Sequence, residues 1–135
     1  MRVGRMRMLL FLFTGIACFK VSANAGLVWE QTIYEAKAKE GAKEERASYR
    51  FENKENYPIT IKKVQPSCGC TTVELEKKEY KPGEQGTLVA VFTFGNRKGL
   101  QEKSILVETD DKAHPQSTLL LRVELPDVIK SISNS

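Results

Sequence analysis

Beyond its first 25 residues the chain sets its apolar residues at alternate positions in short runs, and no long stretch carries them at the 3.6-residue spacing of a helix. Ala47, Tyr49 and Phe51 alternate with Arg46, Ser48, Arg50 and Glu52, so an extended strand here has one apolar and one charged face. Ile59 and Ile61 repeat the pattern with Thr60 and Lys62 outward. Val64 then falls out of phase, which predicts a bulge or bend near Lys63. Val73 and Leu75 alternate with Glu74 and Glu76, and Thr87 to Phe94 is apolar on both faces, as a central strand under a second sheet must be. Lys103 to Thr109 and Leu119 to Leu125 complete the series; in the latter, Leu119, Leu121, Val123 and Leu125 point inward and Arg122 and Glu124 outward.

Turn chemistry separates these runs. In Lys81-Pro82-Gly83-Glu84 the proline presets the first turn angle and the glycine accepts the positive φ of a type II turn. Gly95-Asn96-Arg97-Lys98-Gly99 predicts a hairpin loop, and Asp110-Asp111-Lys112 with Pro115 predicts the turn between the last two strands. With an opening strand over Leu27 to Tyr34, about seven antiparallel strands are expected over residues 26–128, the count and spacing of an all-β, immunoglobulin-like sandwich, with 129–135 as a tail. Parallel α/β folds are excluded by the missing helices. Glu35 to Glu45 combines helix formers, but Gly41 interrupts it and it has no apolar stripe to bury, so a solvated strand or loop between two sheets is expected.

The first 25 residues have the three parts of a secretory signal: Arg2, Arg5 and Arg7, an apolar stretch from Met8 to Phe19, and Ser22-Ala23-Asn24-Ala25 with an A-x-A pair. The apolar stretch is too short for a good permanent anchor, and no later segment is apolar enough to span a membrane. Cleavage after Ala25 and a periplasmic or extracellular location are expected. The alternative is a lipoprotein acylated at Cys18, since Gly15-Ile16-Ala17-Cys18 approaches that signal while lacking its customary leucine. The formal charge of +4 belongs to the leader: after Ala25, 17 basic residues face 17 acidic ones, which removes the electrostatic case for nucleic acid.

The order Phe51-Glu52-Asn53, Pro58-Ile59-Thr60-Ile61, Ser67-Cys68-Gly69-Cys70-Thr71, Lys81-Pro82-Gly83-Glu84 and the late run from Gly99 to Asp110 resembles the exported bacterial domain of unknown function fifteen seventy-three. The resemblance covers about Val28 to Val123. Its most specific element is S-C-G-C-T placed about a dozen residues before P-G-E. It implies an immunoglobulin-like sandwich related to those of pilus chaperones and major sperm protein domains, and it implies no established activity.

Cys68 and Cys70 are the only cysteines after the leader. In an extended strand their Cα atoms would stand about 6.6 Å apart, at the upper edge of disulfide range, and Gly69 is placed to tighten the turn. A bond between them closes a tiny loop and constrains the unfolded chain little. Three readings follow: a disulfide or packed thiols, a thiol-redox or partner-linking pair, and a soft-metal site in which two thiolates grip Cu(I). The metal reading lacks further ligands, because the one histidine, His114, is far along the chain and every methionine lies in the leader.

Catalysis finds less support. The sequence has no G-x-S-x-G, no phosphate-binding glycine loop and no H-E-x-x-H, and a cysteine nucleophile would need His114 from a loop beside Pro115. Glu44-Glu45 and Asp110-Asp111 read as surface pairs, Lys62-Lys63 and Lys77-Lys78 as solvated strand edges, and Trp29 as a core anchor. The expected protein is therefore a non-enzymatic envelope module that needs no cofactor and offers an edge strand or loop face to an envelope protein. The rival is a thiol-redox or Cu(I)-handling protein acting through Cys68 and Cys70.

Overall fold

A computed structural model describes residues 26–127; the expected leader, its expected cleavage after Ala25, the alternative acylation of Cys18 and the expected tail at 129–135 lie outside the described residues. Nine strands form: β1 (Leu27–Trp29), β2 (Ile33–Lys37), β3 (Glu44–Asn53), β4 (Ile59–Pro66), β5 (Thr71–Leu75), β6 (Glu79–Tyr80), β7 (Gln85–Thr93), β8 (Gly99–Thr109) and β9 (Gln116–Leu125). They make a four-stranded sheet in the order β1-β3-β7-β5 and a five-stranded sheet in the order β2-β9-β8-β4-β6. No helix among the described residues is long and apolar enough to cross a membrane.

The alternation read from the sequence sets the core. Ala47, Tyr49 and Phe51 from β3 and Leu88, Ala90 and Phe92 from β7 face Ile61, Ile105, Val107, Leu119, Leu121, Val123 and Leu125 of the other sheet, all buried. Tyr49 also carries a polar tip, and its hydroxyl crosses the sandwich to donate to the Leu120 carbonyl at 2.8 Å. The out-of-phase Val64 has the expected cause, a register shift of β4 against β8 between Ile61 and Lys63. The Lys81–Glu84 turn is type II as read, with Gly83 at φ 77° and the Glu84 N–H donating to the Lys81 carbonyl at 3.0 Å.

The strand count and the connections depart from expectation. Residues 27–34 do not form one strand: the polar Glu30-Gln31-Thr32 carries the chain from β1, paired with β3, to β2, which sits beside β9 in the opposite sheet. β2 and β9 run parallel, so the sheet is not wholly antiparallel. The loop at 95–99 is not a hairpin loop, because β7 and β8 lie in opposite sheets. Positive φ angles at Gly95 and Gly99 turn the chain between the sheets. β6, two residues long, raises the count further. The segment at 35–45 is, as expected, strand and loop between the sheets, turning at Gly41 between β2 and β3.

Because successive strands keep changing sheets, specific contacts must hold the connections, and Asn53 at the end of β3 supplies several. It is fully buried; its amide donates to the carbonyls of Tyr57 and Tyr80 at 2.9 and 2.8 Å, and its Oδ1 accepts the Glu55 N–H. Its backbone N–H donates to the Glu84 carbonyl, and its carbonyl accepts the Gly83 N–H. Beside it the Phe51 ring packs against Trp29 on one side and Tyr80 on the other, at centroid distances of 4.8 and 4.7 Å. Gly86 faces this cluster, and a Cβ there would stand 2.5 Å from Tyr80 Cε1 and overlap the Phe51 ring.

Two outcomes follow for stability, measured as urea midpoints at unchanged slope. Asn53→Ala strands the buried Tyr80 carbonyl and removes the part-buried bonds to the Tyr57 carbonyl and the Glu55 N–H, and should cost about 3 kcal/mol. Gly86→Ala should cost about 1–3 kcal/mol by overpacking; midpoints within error of the parent would contradict both assignments.

Candidate functional site

Cys68, Gly69 and Cys70 occupy the turn that carries the chain from β4 in one sheet to β5 in the other. Ser67 fixes the approach: its backbone N–H donates to the Ser104 carbonyl at 2.8 Å, and its hydroxyl accepts the Ser104 N–H. The Thr71 N–H closes the turn on the Cys68 carbonyl at 3.2 Å, while the Cys70 carbonyl accepts the Thr93 N–H and starts the β5–β7 ladder. The turn draws the two Cα atoms to 5.2 Å, inside the range that a disulfide spans and shorter than an extended strand allows, and the sulfurs stand at disulfide distance.

Both cysteines are half-buried. The Cys70 N–H points at Cys68 Sγ at 3.1 Å, and the Arg97 guanidinium, from the loop between β7 and β8, approaches the same sulfur at 3.9 Å. A cation and an amide dipole directed at one sulfur are the surroundings that favour a thiolate when the pair is reduced. No carboxylate or imidazole joins the cysteines in a group of three metal-ligating residues among those described.

A second cluster forms where the β3–β4 and β8–β9 loops meet. Asp111, read from sequence as half of a surface pair with Asp110, is instead buried, with 2% of its surface exposed. The reason is local. The Thr109 hydroxyl donates to the His114 carbonyl and accepts the Asp111 N–H, and this folds the loop so that the Asp111 side chain turns inward. Asp111 Oδ1 accepts the Tyr57 hydroxyl at 2.9 Å and the Ala113 N–H at 3.0 Å. Burial pushes the Asp111 carboxyl up, and the hydrogen bonds from Ala113 and Tyr57 together with the facing His114 imidazole outweigh it, holding the group below its ordinary value. The bond to Asp111 in turn pushes the Tyr57 phenol up to about 12. His114 is half-buried, its Nδ1 3.4 Å from Asp111 Oδ2, and Glu55 completes the group.

The structure therefore does not bring His114 to the cysteines. β4 meets β8 with Ile61 opposite Thr109 at one end and Pro66 opposite Ile105 at the other; His114 lies beyond the first end and Cys68 beyond the second. Among the other surface readings, Lys77 pairs with Glu84, Lys62 and Lys63 are exposed, and Glu44 and Glu45 sit at the start of β3. Trp29 packs against the core, as read. Glu55, Tyr57 and Asp111 were not legible as a group, because two loops more than 50 residues apart supply them.

Replacing Cys68 and Cys70 together by serine should lower stability by no more than about 1.5 kcal/mol, since so short a ring removes little unfolded-state entropy. A loss of 3 kcal/mol or more in chemical denaturation would show that the pair is a structural staple.

Comparison with known proteins places this geometry. A crystal structure of a protein of unknown function from Porphyromonas gingivalis W83 matches with a TM-score of 0.64 at 18% identity, over 78% of this chain and 50% of that one. The E. coli chaperone DraB matches with a TM-score of 0.57 at 16% identity, over 76% and 56%. The Vibrio cholerae VesB protease matches with a TM-score of 0.58 at 11% identity, over 75% and 32%. At these identities the likeness is one of fold, and the chain spans about half or less of each of the three. No curated protein matches the sequence. The sequence profile of the family described as "Protein of unknown function (DUF1573)" matches residues 27–125, from the first strand to the last, and the chain belongs to that family.

Proposed function

We propose that the chain is an exported, non-catalytic sandwich module of the bacterial cell envelope, and that it binds protein by accepting an extended segment along β5. The observation that carries this reading is that the S-C-G-C-T turn launches a sheet edge: β5 pairs with β7 on one side, and no described strand pairs with its other side. Since the Cys70 carbonyl points to β7, alternation along the ladder turns the N–H and C=O of Val73 outward, where an added strand would find them. The edge is five residues long, as is β2 at the margin of the other sheet, against three in β1 and two in β6; β5 differs from β2 in that its entry is fixed by the cysteine turn. The signal-like pattern of residues 1–25 supports export, and the likeness in fold to a chaperone agrees with a binding role.

Val73→Pro removes an outward-facing donor and leaves the β7 ladder its partners. A photo-crosslinker placed at Thr72, on exposed edge surface, should capture one envelope protein in cells, and Val73→Pro should reduce that capture at least about tenfold with the far-ultraviolet spectrum unchanged. Equal capture by the proline variant would overturn binding at β5.

The position of Arg97 against Cys68 Sγ favours a second reading, thiol exchange with a partner. In that case replacing both cysteines by serine abolishes disulfide exchange, or Cu(I) uptake by the reduced pair, while strand capture persists. Unchanged exchange in the double variant would remove this reading.

A further inference from the structure

We propose that Glu55, Asp111 and His114 form a binding site for a divalent d-block cation of the zinc class, at the end of the sandwich where the β3–β4 and β8–β9 loops meet. One donor atom from each lies within 4.8 Å of the others. The inference is independent of strand capture at β5.

Asp111 provides the strongest sign. Its side chain is almost wholly buried, and its two oxygens are treated differently. Oδ1 takes two hydrogen bonds, from Tyr57 and Ala113, whereas Oδ2 is buried, makes no hydrogen bond of ordinary geometry and faces only the His114 imidazole. An ionised carboxylate oxygen left unpaired in the interior is costly, and native folds rarely tolerate one without an occupant for the space it faces. What faces it is His114 Nδ1, itself buried and without a hydrogen-bond partner, at 3.4 Å. That separation exceeds the usual N–H···O range of about 2.7–3.2 Å. It equals the edge of a tetrahedron whose centre makes bonds of about 2.1 Å, the geometry of zinc held by imidazole and carboxylate.

Gly26 supplies an independent sign. A Cβ at this position would stand 2.9 Å from Asp111 Oδ2 and 3.2 Å from His114 Nδ1, so any side chain would fill the space between the donor atoms. Around the donors the supports are in place. Tyr57 orients the Asp111 carboxylate through Oδ1, and the Glu55 backbone is held by Asn53 Oδ1. One imidazole and two carboxylates suit a borderline cation, whereas Ca²⁺ takes about six to eight oxygens and Mg²⁺ an octahedron of them. Three protein ligands leave a fourth position for water.

The test uses the protein as recovered from cells, stripped with EDTA and titrated with Zn²⁺ by calorimetry, with Co²⁺ as an absorbing substitute. One equivalent should bind, and Zn²⁺ should raise the thermal midpoint. His114→Ala, at a half-exposed position, and Glu55→Gln should fold normally by circular dichroism, weaken uptake at least about tenfold, and lose the visible bands of tetrahedral Co²⁺. The serine double variant at Cys68 and Cys70 should bind like the parent. The proposal is overturned if the parent takes up no zinc, if uptake survives His114→Ala and Glu55→Gln unchanged, or if only the cysteine variant abolishes it.

Discussion

The sandwich depends on the buried amide of Asn53. From β1 to β8 each strand lies in the sheet opposite its predecessor, and only β8 and β9 pair as consecutive neighbours. A fold made of hairpins sets its register through its turns, but this chain must hold each crossing by contacts made at a distance. Asn53 does so for three segments at once: its side chain binds the loop through Tyr57 and β6 through Tyr80, and its backbone binds the Lys81–Glu84 turn. A buried amide with its partners supplied selects one arrangement, because every alternative leaves those partners unpaired. The Phe51 ring two residues earlier lies between Trp29 and Tyr80, so the same segment carries an apolar and a polar lock.

This explains what could be read from the chain and what could not. Alternation marks a face, and the inward sets of β3 and β9 were legible because one side of each strand is buried and the other wet. The type II turn was legible because its geometry is written in two adjacent residues, Pro82 and Gly83. Pairing partners are a different matter. A glycine-rich loop such as 95–99 has the same composition whether its strands pair with each other or pass to opposite sheets. The split between β1 and β2, the parallel pairing of β2 with β9 and the two-residue β6 are all results of sheet switching, which leaves no local pattern.

The candidate sites divide along the same line. The cysteine pair was legible because both residues are neighbours in sequence, and only the tightness of the turn, with Arg97 beside the sulfur, needed the fold. The Asp111 cluster was hidden for the opposite reason: Asp110 and Asp111 are adjacent carboxylates that read alike, yet Asp110 is exposed, its carboxylate accepting the Thr60 N–H, while Asp111 is buried. The Thr109 hydroxyl decides between them by folding the loop back on itself. The sequence signal available was a threonine ending a strand before an aspartate, which is common in turns and carries no chemistry alone.

The two clusters sit beyond opposite ends of the β4–β8 ladder and are physically separate. Neither shares a residue with the other, and between them lies a core of interdigitated apolar side chains anchored on Ile105 and Val107. Cys68 and Cys70 lie at the entry to β5, so any change in their bonding would be felt first at the edge proposed to receive a partner. The Asp111 cluster lies on the loops that Asn53 secures, so the proposed cation would act first on how firmly the two sheets are joined. A close-packed interior couples sites only where an element has two discrete arrangements, and the strands between these ends are locked in one by Asn53, Tyr49 and the Phe51 cluster. On the proposed reading, one end therefore serves contact with another protein, and the other serves the scaffold that presents it.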